Sequence, residues 1–232
     1  MKLPFHVIDL THPITSTSPT WENACGFRHD IGLDYDACAT PVKFRVQNIT
    51  MHAGIGTHID APAHCIPGAK TVDELCLDDL IAPCVVIDIS KQAHAEYQCL
   101  PADIHAFEKK YGKIPKGAFV IIRTGWAQFW NQPEQYRNKL QFPSVSLAAA
   151  NLLLERHIVG LGIDTLSPDT ENSGYPVHQA ILGAGKYIIE NVANADKLPP
   201  IGSFTLALPI LTTGGTEAPI RFIALLIKEE SI

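Results

Sequence analysis

The sequence predicts an α+β fold, a mixed, barrel-like β-sheet flanked by a few helices, and three observations carry that prediction. Short β-branched runs recur along the chain, helical periodicity is clear in only three places, and the two kinds of segment do not alternate in the order of a doubly wound fold. Nor does any strand lead into a G-x-G-x-x-G or Walker-type phosphate loop. The strands are expected at 7–10, 44–51, 84–89, 118–123, 158–163, 204–208 and 220–227, each rich in Val, Ile, Phe or Leu. Helices are expected at 100–111, with apolar residues at 100, 104, 107 and 111, at 146–157 behind a Ser cap, and over the shorter 177–182.

Composition narrows the function. The chain has 232 residues, 46% hydrophobic and 18% charged, with 18 Lys+Arg against 24 Asp+Glu for a formal charge of −6. That is the balance of a compact globule, and the absence of a Lys/Arg-rich run argues against nucleic acid or a basic membrane-binding face, leaving small-molecule chemistry. No Gly/Ser/Pro linker or repeat divides the sequence, so residues 1–232 are read as a single domain. The longest uncharged stretch, 198–216, is broken by Pro199, Pro200, Pro209 and Gly214-Gly215, so no spanning helix is expected. The N-terminus lacks the apolar run of a secretory signal, and six irregularly spaced cysteines without a C-x-x-C pair read as reduced thiols. Both point to the cytoplasm.

Of ten histidines, His6, His29, His94, His105 and His157 need no special role. The segment Gly54-Ile55-Gly56-Thr57-His58-Ile59-Asp60-Ala61-Pro62-Ala63-His64 is different. If residues 57–60 are extended, the two-residue period of a strand puts His58 and Asp60 on one face, at metal-clip spacing. Pro62 cannot continue a central strand, so His64 is expected on a following turn near the same pocket. An isolated H-x-D pair is also compatible with a simple hydrogen-bonded couple.

The whole string resembles the signature of the cyclase family, whose best-known members are bacterial kynurenine formamidases and isatin hydrolase. The family pattern is H-x-G-T-H-x-D-x-P-x-H, and every fixed position matches except the first, where Gly54 stands in place of the leading histidine. The family draws further ligands from a His and a Glu twelve residues apart, and His178 and Glu190 have that spacing. A straight helix would separate them by about 18 Å, too far for one ion. A short helix at 177–182, a Gly183-Ala184-Gly185 turn and a strand ending at Glu190 would bring them together. Asp9-Leu10-Thr11-His12-Pro13-Ile14 looks like the family's opening strand and turn, and Trp21 falls where formamidases set a tryptophan against the substrate ring. Segments around Thr124-Gly125-Trp126, Asp164 and Gly214-Gly215-Thr216-Glu217-Ala218-Pro219 also look family-like and read as pocket loops, with Asp164 and Arg221 a candidate ion pair.

The resemblance implies a swivelling β/β/α, cyclase-like domain and a metal-dependent amide hydrolase. Its ligands would be His58, Asp60, His178 and Glu190, with His64 as general acid/base and Trp21 on the substrate. A divalent ion lowers the pKa of the water it holds and polarises a carbonyl. Zn2+ suits imidazole and carboxylate ligands and Mn2+ is also admitted. Gly54 removes one ligand, leaving one or two ions per chain open, with His52 as a substitute if the 54–56 stretch bulges. N-formylkynurenine is the leading substrate, with an isatin-type cyclic amide or a lactone as alternatives and a catalytically silent metal-binding protein as the rival from another class. A homo-oligomer, dimer or tetramer, is expected by analogy, with loop 26–42 reaching a neighbour. Cys65, beside His64, is expected to point away from the pocket, as neighbours on an extended chain do.

Overall fold

A computed structural model describes residues 4–22, 24 and 26–228. In chain order, β1 (Phe5–Asp9) is followed by β2 (Arg28–Leu33), β3 (Val46–Thr50), β4 (His58–Asp60), the one-turn helix α1 (Leu77–Leu80) and β5 (Ile81–Asp88). Then come β6 (Gln98–Cys99), α2 (Pro101–Tyr111), β7 (Phe119–Arg123), α3 (Pro133–Arg137), β8 (Ser144–Val145), α4 (Leu147–Glu155) and β9 (Gly160–Ile163). The last elements are α5 (Pro176–Gly183), β10 (Tyr187–Glu190), β11 (Ser203–Pro209) and the long β12 (Glu217–Ile227).

The main sheet runs β1-β12-β11-β5-β7-β9-β10-β4, and β4 also pairs with the start of β12. That extra pairing closes seven strands into a barrel-like ring, with β1 as an eighth strand on the outer side of β12. The mixed, barrel-like sheet expected from sequence is therefore present. One expectation needs correction, because strands and helices do alternate in the middle of the chain. β5, β7, β9 and β10 are parallel neighbours, and the connections between them carry α2, α4 and α5. Parallel strands need such crossovers, and short 3-10 turns together with the two-residue strands β6 and β8 hide the pattern in the sequence. A second surprise lies within 26–42, read as a loop: β2 pairs with β3 in a separate antiparallel ribbon whose side chains are largely exposed.

Alternation along the strands divides the core. Phe119 and Ile121 point into the ring with Leu10, Ile59, Ile189 and Phe222, whereas Val120 and Ile122 point outward to Ile104, Phe107, Ala149, Leu153 and Ile181 of the covering helices. Inside, the Phe119 ring stacks on Tyr187 and meets Phe222 edge-on, both at 5.5 Å between centroids. β9 makes room for these rings by being glycine-rich, since a Cβ at Gly160 would sit 2.7 Å from the Tyr187 ring and one at Gly162 2.9 Å from the Phe119 ring. The helices follow local chemistry. The Asp103 carboxylate accepts the Leu100 N–H at 2.8 Å at the start of α2, and the Ser146 hydroxyl accepts the Ala149 N–H at the start of α4.

Among the described residues Cys38, Cys65, Cys76, Cys84 and Cys99 are free thiols, and Cys25 lies outside them. No helix among them is long and apolar enough to cross a membrane.

Candidate metal centre

Barrel closure places β4 between β10 and β12, and the register of those two pairings builds the site. Glu190 lies opposite His58, and Glu217 lies opposite Asp60. Residues directly across a pair of strands share a face, so three neighbouring strands present one imidazole and three carboxylates on one surface. Thr57 fixes the approach to β4, its buried hydroxyl donating to the Asn191 carbonyl at 2.7 Å and accepting the His12 N–H at 2.9 Å. Gly56 has φ +64, and a Cβ there would meet the Ile14 side chain at 2.9 Å. This left-handed backbone, open to glycine at little cost, sets a carbonyl that receives both His58 Nδ1–H at 2.9 Å and the Asn191 amide at 2.8 Å.

His178 arrives from the first turn of α5. Asp169 accepts the backbone N–H groups of Val177 and His178 at 3.2 and 2.9 Å and receives His178 Nδ1–H at 2.8 Å. With Nδ1–H committed to protein acceptors, each imidazole turns Nε2 inward, where it can carry a proton or, once neutral, ligate a metal as histidines so braced commonly do. His58 Nε2 lies 3.4 Å from both Asp60 Oδ1 and Glu190 Oε2, and His178 Nε2 lies 3.7 Å from Asp60 Oδ2 and 3.4 Å from Glu190 Oε1. Lone pairs facing carboxylate oxygens in a buried pocket repel unless positive charge lies between them. Burial disfavours protonation of the two rings, yet the carboxylates outweigh it. Asp60 and Glu190 hold His58 well above the ordinary histidine value, and Asp169, Asp60 and Glu190 do the same for His178. For Asp60, burial favours the neutral acid, but the His58 charge and both imidazole contacts hold the carboxyl well below the usual range.

A divalent cation fits this arrangement. Both Asp60 oxygens are buried without a hydrogen-bond partner, a costly state that a bound ion would relieve. Ligand atoms of Asp60, His178 and Glu190 converge within 4.8 Å, and those of His58, Asp60 and Glu217 do the same. The four residues expected from sequence as ligands, His58, Asp60, His178 and Glu190, are therefore brought together.

The other candidates surround an adjoining cavity of about 560 Å3. His64 ends a 3-10 turn that begins at Pro62, with Nδ1 3.5 Å from Glu217 Oε2 and its ring 6.0 Å from that of His178. The hydrogen bond that its ring donates to Glu217 raises its proton affinity above the ordinary histidine value, against the opposing effect of burial. Trp21 lines the cavity with Tyr175, their rings 5.9 Å apart, and its carbonyl accepts the Arg137 guanidinium at 2.9 Å. His52 borders the cavity but is exposed, its ring against Gly26, and it belongs to neither group of converging ligand atoms.

Two local expectations are corrected. Cys65 lines the cavity beside His64, because the chain there is a 3-10 turn and not a strand, and burial pushes its thiol up, away from the reactive thiolate. Asp164 and Arg221 do not pair. Asp164 receives the Thr124 and Gly125 N–H groups at 2.7 and 2.8 Å, while Arg221 binds Asp9 at 2.6 Å. Glu217, Asp169 and Asn191 were not singled out from sequence as site residues. For Asp169 a signal existed, a carboxylate seven residues before the Pro176 that opens α5. For Glu217 the only hint was an acidic residue inside a Gly-rich, Pro-bounded segment.

Comparison with known proteins gives the family. The profile of the Cyclase family matches residues 8–170. Isatin hydrolase of Roseibium aggregatum is 35% identical over 191 residues, spanning 75% of this chain and 72% of that one. Kynurenine formamidase of Paracidovorax citrulli is 28% identical over 233 residues, spanning 95% and 97%. Among solved structures, isatin hydrolase A from Labrenzia aggregata superposes with a TM-score of 0.89 at 31% identity, covering 97% of this chain and 95% of that one. The chain therefore belongs to the cyclase family and is a metal-dependent hydrolase of amide bonds.

Proposed function

We propose that the protein hydrolyses a small amide whose nitrogen is attached to an aromatic ring, with a cyclic amide of the isatin type first and a linear N-formylkynurenine-type formamide second. The observation that carries the reading is Asp60, buried and unpartnered between two imidazoles, beside a cavity that holds His64 and is bordered by Trp21 and Tyr175. The ordering of substrates rests on the higher identity to isatin hydrolase. The formamide remains the second reading because kynurenine formamidases match nearly the full chain.

In this reading His58, Asp60, His178 and Glu190 are metal ligands, for Zn2+ with Mn2+ as the alternative. The ion supplies an acidified water and a polarised carbonyl. Hydrolysis forms a bond from the water oxygen to the carbonyl carbon and breaks the C–N bond, and the departing nitrogen must gain a proton. His64 is placed for that transfer, since Glu217 raises its proton affinity and its side chain is one-third exposed to the cavity. Trp21 supplies a flat apolar face for the substrate ring. Burial of Asp60, His178 and Glu190 keeps water from them and strengthens each electrostatic contact there.

Chelator-treated protein, assayed on isatin, formanilides, lactams and lactones before and after return of zinc or manganese, tests the reading. Activity is expected to vanish on chelation and to return with metal, with the cyclic amide turned over at least about tenfold faster than the linear one. The reverse preference would assign the formamide, and protein that holds no metal and turns over no substrate would make it a silent member. The proposal extends to a cytoplasmic homo-oligomer. Exposed apolar side chains on the β2–β3 ribbon, Ile31, Val46 and Ile49, support the association, and light scattering of the eluting peak tests it.

A further inference from the structure

The departure at Gly54 and the carboxylate of Glu217 are two sides of one feature. A Cβ at position 54 would collide with Glu217 Oε1, and the same point lies 3.4 Å from His58 Nε2. The Glu217 carboxylate therefore occupies the space into which a side chain at 54 would project, next to the free nitrogen of His58. Barrel closure puts it there, because Glu217 is directly opposite Asp60 in the β12–β4 register. Two carboxylates so placed destabilise a sheet unless a cation lies between them. Among the described residues no Lys or Arg lines the cavity, so that charge falls to the imidazoles or, once they are neutral, to a bound ion. His64 contacts the other Glu217 oxygen, Oε2, at 3.5 Å, leaving Oε1 on the side of His58.

Asp60 supplies an independent indication. Its two oxygens are buried and without a hydrogen-bond partner, and they diverge, Oδ1 toward His58 at 3.4 Å and Oδ2 toward His178 at 3.7 Å. A carboxylate splayed between two imidazoles, each in a separate group of converging ligand atoms, has the form of a bridge between two cations.

We propose that His58, Asp60 and Glu217 form a second divalent-cation position beside Asp60, His178 and Glu190, with Glu217 supplying from β12 the ligand that Gly54 cannot. The inference rests on the metal-dependent reading above and adds to it a specific ligand and a count of ions. Three protein groups per ion, with Asp60 shared, leave coordination positions open for water and substrate. Replacing imidazole by carboxylate also makes the set harder, which favours Mn2+ relative to an imidazole-rich site.

The test is metal content, independent of turnover. Chelated full-length protein is reloaded with Mn2+ or Zn2+, passed through gel filtration and analysed for metal per chain, and the Mn2+ form is examined by electron paramagnetic resonance. Wild type is expected to retain two ions, magnetically coupled through Asp60. Glu217→Gln is expected to retain one, uncoupled, and the double exchange Gly54→His with Glu217→Ala to restore two. Gly54→Ala gives a second route that keeps Glu217, since the added methyl displaces its carboxylate and should also cost one ion. Circular dichroism identifies any variant that fails to fold, so that the other decides. Unchanged binding of two ions by folded Glu217→Gln overturns the inference, as does loss of activity in that variant with both ions kept, which would leave Glu217 as a positioning residue for His64. One ion in wild type, indifferent to Glu217, overturns it while leaving the metal-dependent reading intact. No ion in wild type overturns both.

Discussion

The two halves of the metal centre share Asp60 but differ in how firmly they are built. In the deep half, Asp60, His178 and Glu190 are 1%, 7% and 7% exposed, and His178 is locked by Asp169, which is itself tied to the first turn of α5. In the open half, His58 is equally buried, but the Glu217 side chain is 25% exposed and is shared with His64 at the cavity. On the proposed two-ion reading the difference is a division of labour: the buried, braced half retains an ion, and the open half is where water, substrate and an exchangeable ion meet.

The strongest way to break that comparison is to remove what the halves have in common. Asp60→Asn, which keeps the shape but loses the bridging charge, is expected to lose metal from both halves and to drop activity to background, checked by elemental analysis and assay of the same sample. His64→Ala should act on the open half alone, lowering turnover by at least about a hundredfold with metal content unchanged. Undiminished turnover in the metal-replete variant would remove His64 from its proposed role. Asp169→Asn should act on the deep half, weakening ion affinity by about 10–100-fold through loss of the brace on His178. Competition with a chromophoric chelator measures it, and an unchanged affinity would show that the deep half does not depend on its brace.

A smaller effect sharpens the comparison from outside both halves. His12 stacks on Trp130 at 4.0 Å, and burial lowers its pKa to about 4. In the unfolded chain it titrates near 6.5. Between those values the unfolded state binds more protons, so stability rises with pH there and is lost as pH falls through that window. Urea midpoints of metal-free protein between pH 7 and pH 5 should fall more steeply in wild type than in His12→Gln. Equal slopes would mean that the acid sensitivity comes from the carboxylate cradle instead.

How much of this was legible depends on where each partner lies along the chain. His58, Asp60 and His64 fall within one short segment, so the strand period and the proline break were enough to group them. His178 and Glu190 required only that a helix, a glycine turn and a strand fold back, and α5 and β10 do so. Glu217 was different, for locally only its Gly-rich, Pro-bounded setting marks it. Its meeting with Asp60 is a register between strands 157 positions apart in the chain. The same distance effect misassigned Arg221, whose partner proved to be Asp9 across the β1–β12 edge and not Asp164. His52 shows the opposite limit. It was expected as a substitute ligand, but β3 ends at Thr50, so no strand period carries His52 onto the face of His58, and the ring rests on Gly26.

The sequence by itself determined the kind of sheet, the helices that cover it and a kit of imidazoles and carboxylates suited to a divalent cation, because periodicity, caps and ligand chemistry are properties of short segments. Only the tertiary structure decided which carboxylate stands beside Gly54, which acid braces His178 and which face of the pocket is open. Those depend on closure of the barrel between β4 and β12, a contact whose register is fixed by packing of the whole ring rather than by any local run of residues.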